Sequence, residues 1–415
     1  MGAPKGAYYI GVFALAMVCC GGAREDRLTI SGSAVGREAD VLREQLRRFS
    51  AAHGVEIEVR ATPDSADQRH QLYVQWLSAQ APDPDVLQLD VIWMPEFAAA
   101  GWLLPLERFR PATADFFPAT IEANRWRGTL FGLPWFVDAG MLYWRTDLLA
   151  RAPQTFDELT TMAQAAMMRG VHSGIAWQAA RYEGLVTVFL EVLGGFGGRI
   201  LDDRGAVVVD SDAAVSALTW MRDAIHRDRI APDASLTWQE EQARFAFQNG
   251  DAAMMRNWPY AWALLQAGGS AVAGRVGVAP MPAQPEGGRP TATLGGAQLA
   301  INARSKQPEA AWMLMQFLTA PEQMIERARR VGQFPARPSL FDAGSGLEGT
   351  LGIPADAARQ VLMAARPRPV TPLYTQLSEI LQIRLHRALT RQQEPRPALQ
   401  EAARDMRRQL ERAGL

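Results

Sequence analysis

The sequence predicts an α/β fold of two lobes, and three observations predict it. The chain has 415 residues, more than one small domain usually holds and enough for two cores. Hydrophobic residues make up 48%, the fraction of a globular rather than a disordered chain. From Leu28 onward, stretches of strand and helix periodicity alternate, the pattern of a mainly parallel sheet with helices on its faces.

The elements follow in order. Leu28-Thr-Ile-Ser-Gly-Ser33 reads as a first strand ending in a small-residue loop. Arg37 to Ser50 has helical spacing, with Val41, Leu42, Leu46 and Phe49 on one face. Val55 to Val59 alternates with period two and is a second strand. Leu72 to Ala81 is an amphipathic helix closed by Pro82-Asp-Pro84, and Asp85 to Trp93 is the next strand. In such sheets ligands sit beyond the carboxyl ends of the strands, where Asp90 and the Gly32–Glu38 loop fall. After Gly132 a second set begins. Thr155 and Glu158 make a capping-box pattern at a helix start. Leu185 to Leu193 is apolar and is broken by Gly194-Gly-Phe-Gly-Gly198. Ala213 to Ile225, Glu240 to Gln248 and Glu309 to Leu318 are helices, the last stopped at Pro321. Ala252 to Met255 is a strand leading into Asn257-Trp-Pro-Tyr260, and the tail from Tyr374 to Ala413 is mostly helical.

The first 22 residues read as a targeting segment. Lys5 precedes an apolar run, Tyr8 to Val18, too short to span a bilayer but right for a secretory core. It ends at Cys19 and Cys20, the only cysteines of the chain. Three readings compete: a lipoprotein signal that acylates Cys20 or Cys19, plain secretion with cleavage near Ala23, and a short membrane anchor. Each places the body outside a bacterial cytoplasm. A mature body without cysteine excludes thiol catalysis, zinc–thiolate sites and disulfide stapling.

Other chemistry falls by elimination. The formal net charge of -1 argues against a nucleic-acid partner. The five histidines are scattered and form no i, i+4 metal pair, and no phosphate-binding loop or complete dinucleotide fingerprint is present. No cofactor or metal is expected, and paired carboxylates of a glycan-processing enzyme stay open. The 12 tryptophans stand out. Most such rings belong to cores, yet Trp258-Pro-Tyr260 sits where the chain turns. Sugars have apolar CH faces and many hydroxyls, so their sites combine aromatic platforms with carboxylates, guanidinium groups and amides.

Several strings carry a family resemblance: Asp83-Pro-Asp-Val86 with Leu89-Asp-Val-Ile-Trp93, Gly101-Trp-Leu-Leu-Pro-Leu106, and Gly132-Leu-Pro-Trp-Phe-Val-Asp138 running on to Leu148. Further along come Tyr182-Glu-Gly-Leu185, Phe247-Gln-Asn-Gly250, Asn257-Trp-Pro-Tyr-Ala-Trp262, Thr293-Leu-Gly-Gly296, and Arg366-Pro-Arg-Pro369 with Gln376-Leu-Ser-Glu379. In number, order and spacing they resemble family 1 of the extracellular solute-binding proteins of ABC importers, most of all the trehalose/maltose-binding branch. The resemblance implies the two-lobe type II periplasmic-binding-protein fold with ligand in the inter-lobe cleft. Lobe I would take 27–134 plus 298–338, lobe II 139–294 plus 342–415, with hinges near 135–140, 294–299 and 337–342. It implies a monomer that binds a disaccharide or similar small sugar without catalysis and hands it to the transmembrane subunits of a permease. Non-sugar solutes such as a polyol or a glycerophosphodiester are the other binding reading. Position by position, the ligand residues would be Glu38, Arg69, Asp90, Asp138, Trp258, Tyr260, Gly296 and Arg368. Phe136 stands where a tyrosine is usual and Ala297 where a tryptophan is common, so the resemblance leaves the sugar itself open.

Overall fold

Strand and helix alternate at the start of the chain because apolar side chains alternate there first with period two, then with period 3.6. β1 (Arg27–Gly32), β2 (Glu56–Ala61) and β3 (Val86–Asp90) are separated by helices Arg37–His53 and Ala66–Ser78. The first helix buries Val41, Leu42, Leu46 and Phe49, the face its spacing predicts. The computed structural model describes residues 27–32, 37–63, 66–342 and 352–414, with Gly2, Gly344 and Leu347. The segment carrying Cys19 and Cys20 lies outside these residues, and among them no helix is long and apolar enough to cross a membrane.

The remaining strands are β4 (Arg125–Trp126), β5 (Thr129–Leu130), β6 (Gly132–Ala139), β7 (Met141–Arg145), β8 (Ser173–Ala176), β9 (Ala252–Asn257), β10 (Val276–Ala279), β11 (Ala292–Ile301) and β12 (Ala365–Arg366). They form two main sheets. The first has the order β12-β11-β3-β1-β2, with β6 also paired to β11; the second has the order β10-β7-β9-β8. Parallel pairing, expected for most of each sheet, holds for β1 with β2 and β3, for β8 with β9 and for β11 with β12. Both sheets are mixed. β11 runs antiparallel to β3 and β6, and β7 runs antiparallel to β9 and β10. Strands buried on both faces are apolar runs whose composition does not encode direction, so the return strands were invisible in the pattern.

The chain passes from one sheet to the other between β6 and β7 through one residue, Gly140. A Cβ at Gly140 would overlap Glu191 Oε1 and Arg256 Nη2, so glycine is required there. Those two side chains are fully buried and paired, with Arg256 Nε donating to Glu191 Oε2 at 2.8 Å. Glu191 also accepts from the Thr293 N–H of β11 at 3.1 Å, and the Gly140 N–H donates to the Thr293 carbonyl at 3.2 Å. One buried carboxylate therefore ties together two strands of the passage between the sheets.

Three departures from the periodicity reading bear on the site. β3 stops at Asp90 rather than Trp93, because the Asp90 carboxylate accepts from the Ile92 N–H at 3.2 Å and caps a 3₁₀ turn over Val91–Trp93. The second helix begins at Ala66, ahead of Leu72, which brings Arg69 into its first turn. Pro321 stops the helix Pro308–Leu318 and also occupies the first position of a further helix, Pro321–Val331. That dual use fits proline, whose missing N–H has no partner to lose at a helix start.

Candidate functional site

Three neighbouring strand positions set the floor of a cleft. Ala297 of β11 pairs with Asp90 of β3 on one side and with Phe136 of β6 on the other. Gly295 pairs with Asp138, two residues further along β6 and on the same face as Phe136. A bulge between Ala297 and Gln298 leaves Trp135 as the extra residue of β6. Gly296 adopts φ +104° beside it, and a Cβ there would strike the β6 backbone at Phe136 and Val137. Glycine thus lets β11 lie hard against β6 and leaves its main chain facing the cleft.

The cavity above this floor has a volume of about 680 Å3. Its first wall is Glu38, Arg69, Gln88 and Asp90, with Phe136, Asp138, Gly296 and Ala297 below and Gln333 beside them. The facing wall is Gln239, Glu240 and Glu241, at the start of helix Glu240–Gln248, and Tyr260. Six of the eight expected ligand residues, Glu38, Arg69, Asp90, Asp138, Tyr260 and Gly296, come together here although they span more than half of the chain.

The other two stand just behind the lining. The Trp258 ring lies 4.1 Å from the buried Arg256 guanidinium, and its carbonyl accepts from the Tyr143 hydroxyl at 2.7 Å. The indole is half-buried, and its six-membered ring lies beside Gly295 and Asp138. Arg368 is 7% exposed and donates to Asp90 Oδ1 at 3.0 Å and to Glu183 Oε1 at 3.0 Å. It touches the back of Asp90 instead of the open space. Burial works against its charge, but Asp90, Tyr374 and Glu183 outweigh it and raise its pKa.

The carboxylates differ in what satisfies them. Asp90 Oδ1 is taken by Arg368 and the Ile92 N–H. Glu241 accepts from the Tyr260 hydroxyl at 2.7 Å and from Arg244 Nε at 3.0 Å. Asp138 receives no hydrogen bond from any described residue. Burial, then the charges of Glu38 and Asp90, push its pKa up to about 7. Beneath the floor Arg327 lies 4.0 Å from the Trp135 ring, and burial lowers its pKa to about 10, so it remains a cation.

The sequence reading missed Gln239, Glu240, Glu241 and Gln333. The acidic first turn at Glu240–Glu241 was a visible signal that a helix N-terminus attracts carboxylates. Gln333 follows the helix that Pro321 starts, and the Val137 N–H donates to the next residue, Phe334, at 2.9 Å. No local motif marks that position. Among the other tryptophans, Trp93, Trp135, Trp177 and Trp262 are core residues.

Residues 36–325 match the family described as bacterial extracellular solute-binding protein. A probable ABC transporter-binding protein of Deinococcus radiodurans is 37% identical over 388 residues, covering 90% of this chain and 91% of its own length. Among solved structures, maltose-bound MalE3 of T. maritima superposes with a TM-score of 0.83 at 42% identity, covering 92% of this chain and 99% of that one. A solute-binding protein of Thermotoga lettingae bound with α-D-tagatose gives 0.80 at 25% identity, with coverages of 92% and 98%.

Proposed function

Because the chain belongs to the bacterial extracellular solute-binding protein family, we propose that it captures a neutral disaccharide of the maltose kind for an ABC importer. Binding takes place between the two walls of the cleft, without a catalytic step. The observation that carries this reading is Asp138, a carboxylate that lines the cavity and has no donor among the described residues. Asp138 is half-buried at the cavity floor, and a sugar hydroxyl is a donor of the right size for its free oxygens. Asp90 Oδ2, Glu240 and the Gly296 main chain offer further places for hydroxyls, while Phe136 and the rim of Trp258 offer apolar faces. Charged hydrogen bonds contribute roughly 1.5–3 kcal/mol each, so three of them approach the roughly 8 kcal/mol of a micromolar complex.

The acid-rich lining decides between ligand classes. Glu38, Asp90, Asp138, Glu240 and Glu241 face the space, against the single lining guanidinium of Arg69. A glycerophosphodiester would bring a negative charge into that field, so a neutral polyhydroxylated guest is favoured over it. The 42% identity to maltose-bound MalE3 supports a disaccharide within that class. On this reading the lobes rotate about the expected hinges near 135–140, 294–299 and 337–342. The closed monomer docks on the permease, and an acyl chain on Cys20 or Cys19 tethers it to the membrane.

Titration calorimetry with maltose, trehalose, sucrose and a polyol tests the reading. Heat is expected with a disaccharide and none with an anionic glycerophosphodiester such as glycerophosphoglycerol. Silence toward every sugar would remove the function proposed. Glucose appearing in a maltose incubation would instead make the protein an enzyme. Trp258→Ala should weaken maltose binding by about 1–3 kcal/mol through lost apolar contact. An unchanged dissociation constant would take Trp258 out of the site.

A further inference from the structure

Four sequence strings that share no local element are linked through two side chains, Glu183 and Arg368. Glu183 is the first residue of helix Glu183–Gly195. Its Oε1 accepts from Arg368 Nη1 at 3.0 Å and from the Tyr374 hydroxyl at 2.6 Å, and its Oε2 accepts from the Ser378 hydroxyl. Arg368 continues the chain of contacts to Asp90 Oδ1 at 3.0 Å. Tyr182-Glu183, Arg366-Pro-Arg368, Tyr374 to Ser378 and Leu89-Asp90 are thus one polar assembly, of which only Asp90 lines the cavity.

We infer that Glu183 is a positioning residue for the ligand, acting through Arg368 on Asp90; this rests on the sugar-binding reading of the cleft. The chemistry is directional. Asp90 has two oxygens. Arg368 and the Ile92 N–H engage Oδ1, which turns Oδ2 toward the guest and fixes the carboxylate plane. Arg368 can hold that plane only if its own fork is anchored, and the second arm of the fork is anchored on Glu183. Tyr374 and Ser378 in turn leave Glu183 no other orientation. A mobile Asp90 would have to be ordered when sugar binds, and that ordering subtracts from affinity.

The assembly also joins the first wall to the core of the second sheet. Asp90 ends β3 of the first sheet, whereas helix Glu183–Gly195 packs with helices Asp212–His226 and Tyr374–Leu389 in the core of the second sheet. Arg368 spans them. Any rotation that separates the two must therefore break the Arg368–Asp90 contact or the Arg368–Glu183 contact, so the geometry that presents Asp90 Oδ2 belongs to their approached state. Recognition of one hydroxyl and closure of the cleft become the same event.

A double-mutant cycle on maltose affinity tests the relay, with Glu183→Gln, Asp90→Asn and both together, and thermal melts run alongside. Glu183→Gln is expected to weaken maltose binding about tenfold in the wild-type background and less than twofold once Asp90 is Asn, because the effect passes through that carboxylate. Tyr374→Phe, which removes one donor and leaves the charges in place, should weaken binding two- to threefold, again only while Asp90 is present. A purely structural Glu183 would lower the melting temperature and give additive effects on affinity. Additive effects, or full affinity in Glu183→Gln, overturn the relay while wild-type maltose binding still stands. Wild-type protein that ignores every sugar overturns the reading of the cleft, and the relay falls with it.

Discussion

Glu191→Ala is expected to destabilise the protein by about 3–5 kcal/mol, since it leaves the Arg256 guanidinium buried and uncompensated. Both side chains are fully buried. Glu191 accepts three hydrogen bonds, two from Arg256 and one from the Thr293 N–H. Arg256 is further held by Gln178 Oε1 at 3.3 Å, and Gln178 Nε2 returns a bond to the Arg256 carbonyl at 3.1 Å. Nothing in the surroundings can replace the lost acceptor. Domains of ordinary stability have about 5–15 kcal/mol to lose, so much of the margin would go. Urea unfolding followed by tryptophan fluorescence measures it, and a loss under 1 kcal/mol would contradict the account.

The double variant Glu191→Met with Arg256→Met separates the charge from the packing. With no ion left in the core, most of the stability should return. Maltose affinity should not return, because Arg256 carries the Trp258 ring at 4.1 Å. Gly140 explains why the pair sits where it does. A side chain at that position would occupy the space of the ion pair, so the narrow passage between the sheets and its buried charges depend on each other.

Asp90 is legible because ligands sit beyond strand ends in such sheets, whereas Glu38 and Arg69 are named by the family resemblance alone. Asp90 ends a strand that is apolar but for Gln88, and Asp138 interrupts another, so both read as exceptions with a purpose. The period-3.6 faces were equally plain, as Val41 through Phe49 illustrate. What stayed hidden was what depends on long-range pairing. β11 is flanked by strands more than 150 residues earlier in the chain, and no local pattern announces that Ala297 will lie between Asp90 and Phe136. Pro321 was read as an end because helices do stop at proline, yet it also begins the helix that carries Arg327 and leads to Gln333. The resemblance names Arg368 and Trp258 as ligand residues; in the structure Arg368 is bonded to Asp90 and Glu183, and the Trp258 ring lies beside Gly295 and Asp138. Their partners, Glu183 and Arg256, were ordinary helix-start and strand charges until the fold brought them into contact.

Maltose affinity is expected to rise with pH and to level off above about 7, by the ionisation of Asp138. In the empty cleft burial is the main force against its charge, followed by Glu38 and Asp90, and together they raise its pKa from 3.8 to about 7. The groups facing it are Glu38, Asp90, Glu240 and Glu241, with Arg69 as the lining cation. Sugar hydroxyls donate to the ionised form and so bind it better than the protonated one. Below the raised pKa, binding must first release a proton, which costs affinity by as much as about tenfold per pH unit. The sign for stability is opposite. The folded empty protein holds this proton between pH about 4 and about 7 whereas the unfolded chain does not, so this group makes the empty protein less stable as pH rises through that window. A displacement from 3.8 to about 7 corresponds to about 4 kcal/mol. Added maltose should therefore raise the melting temperature more at pH 8 than at pH 5.5. In D138N both trends should flatten, with weaker binding at every pH. If wild-type affinity instead falls as pH rises through 7, Asp138 serves the sugar as a proton donor, and the carboxylate–hydroxyl contact on which the proposed function rests is the wrong one.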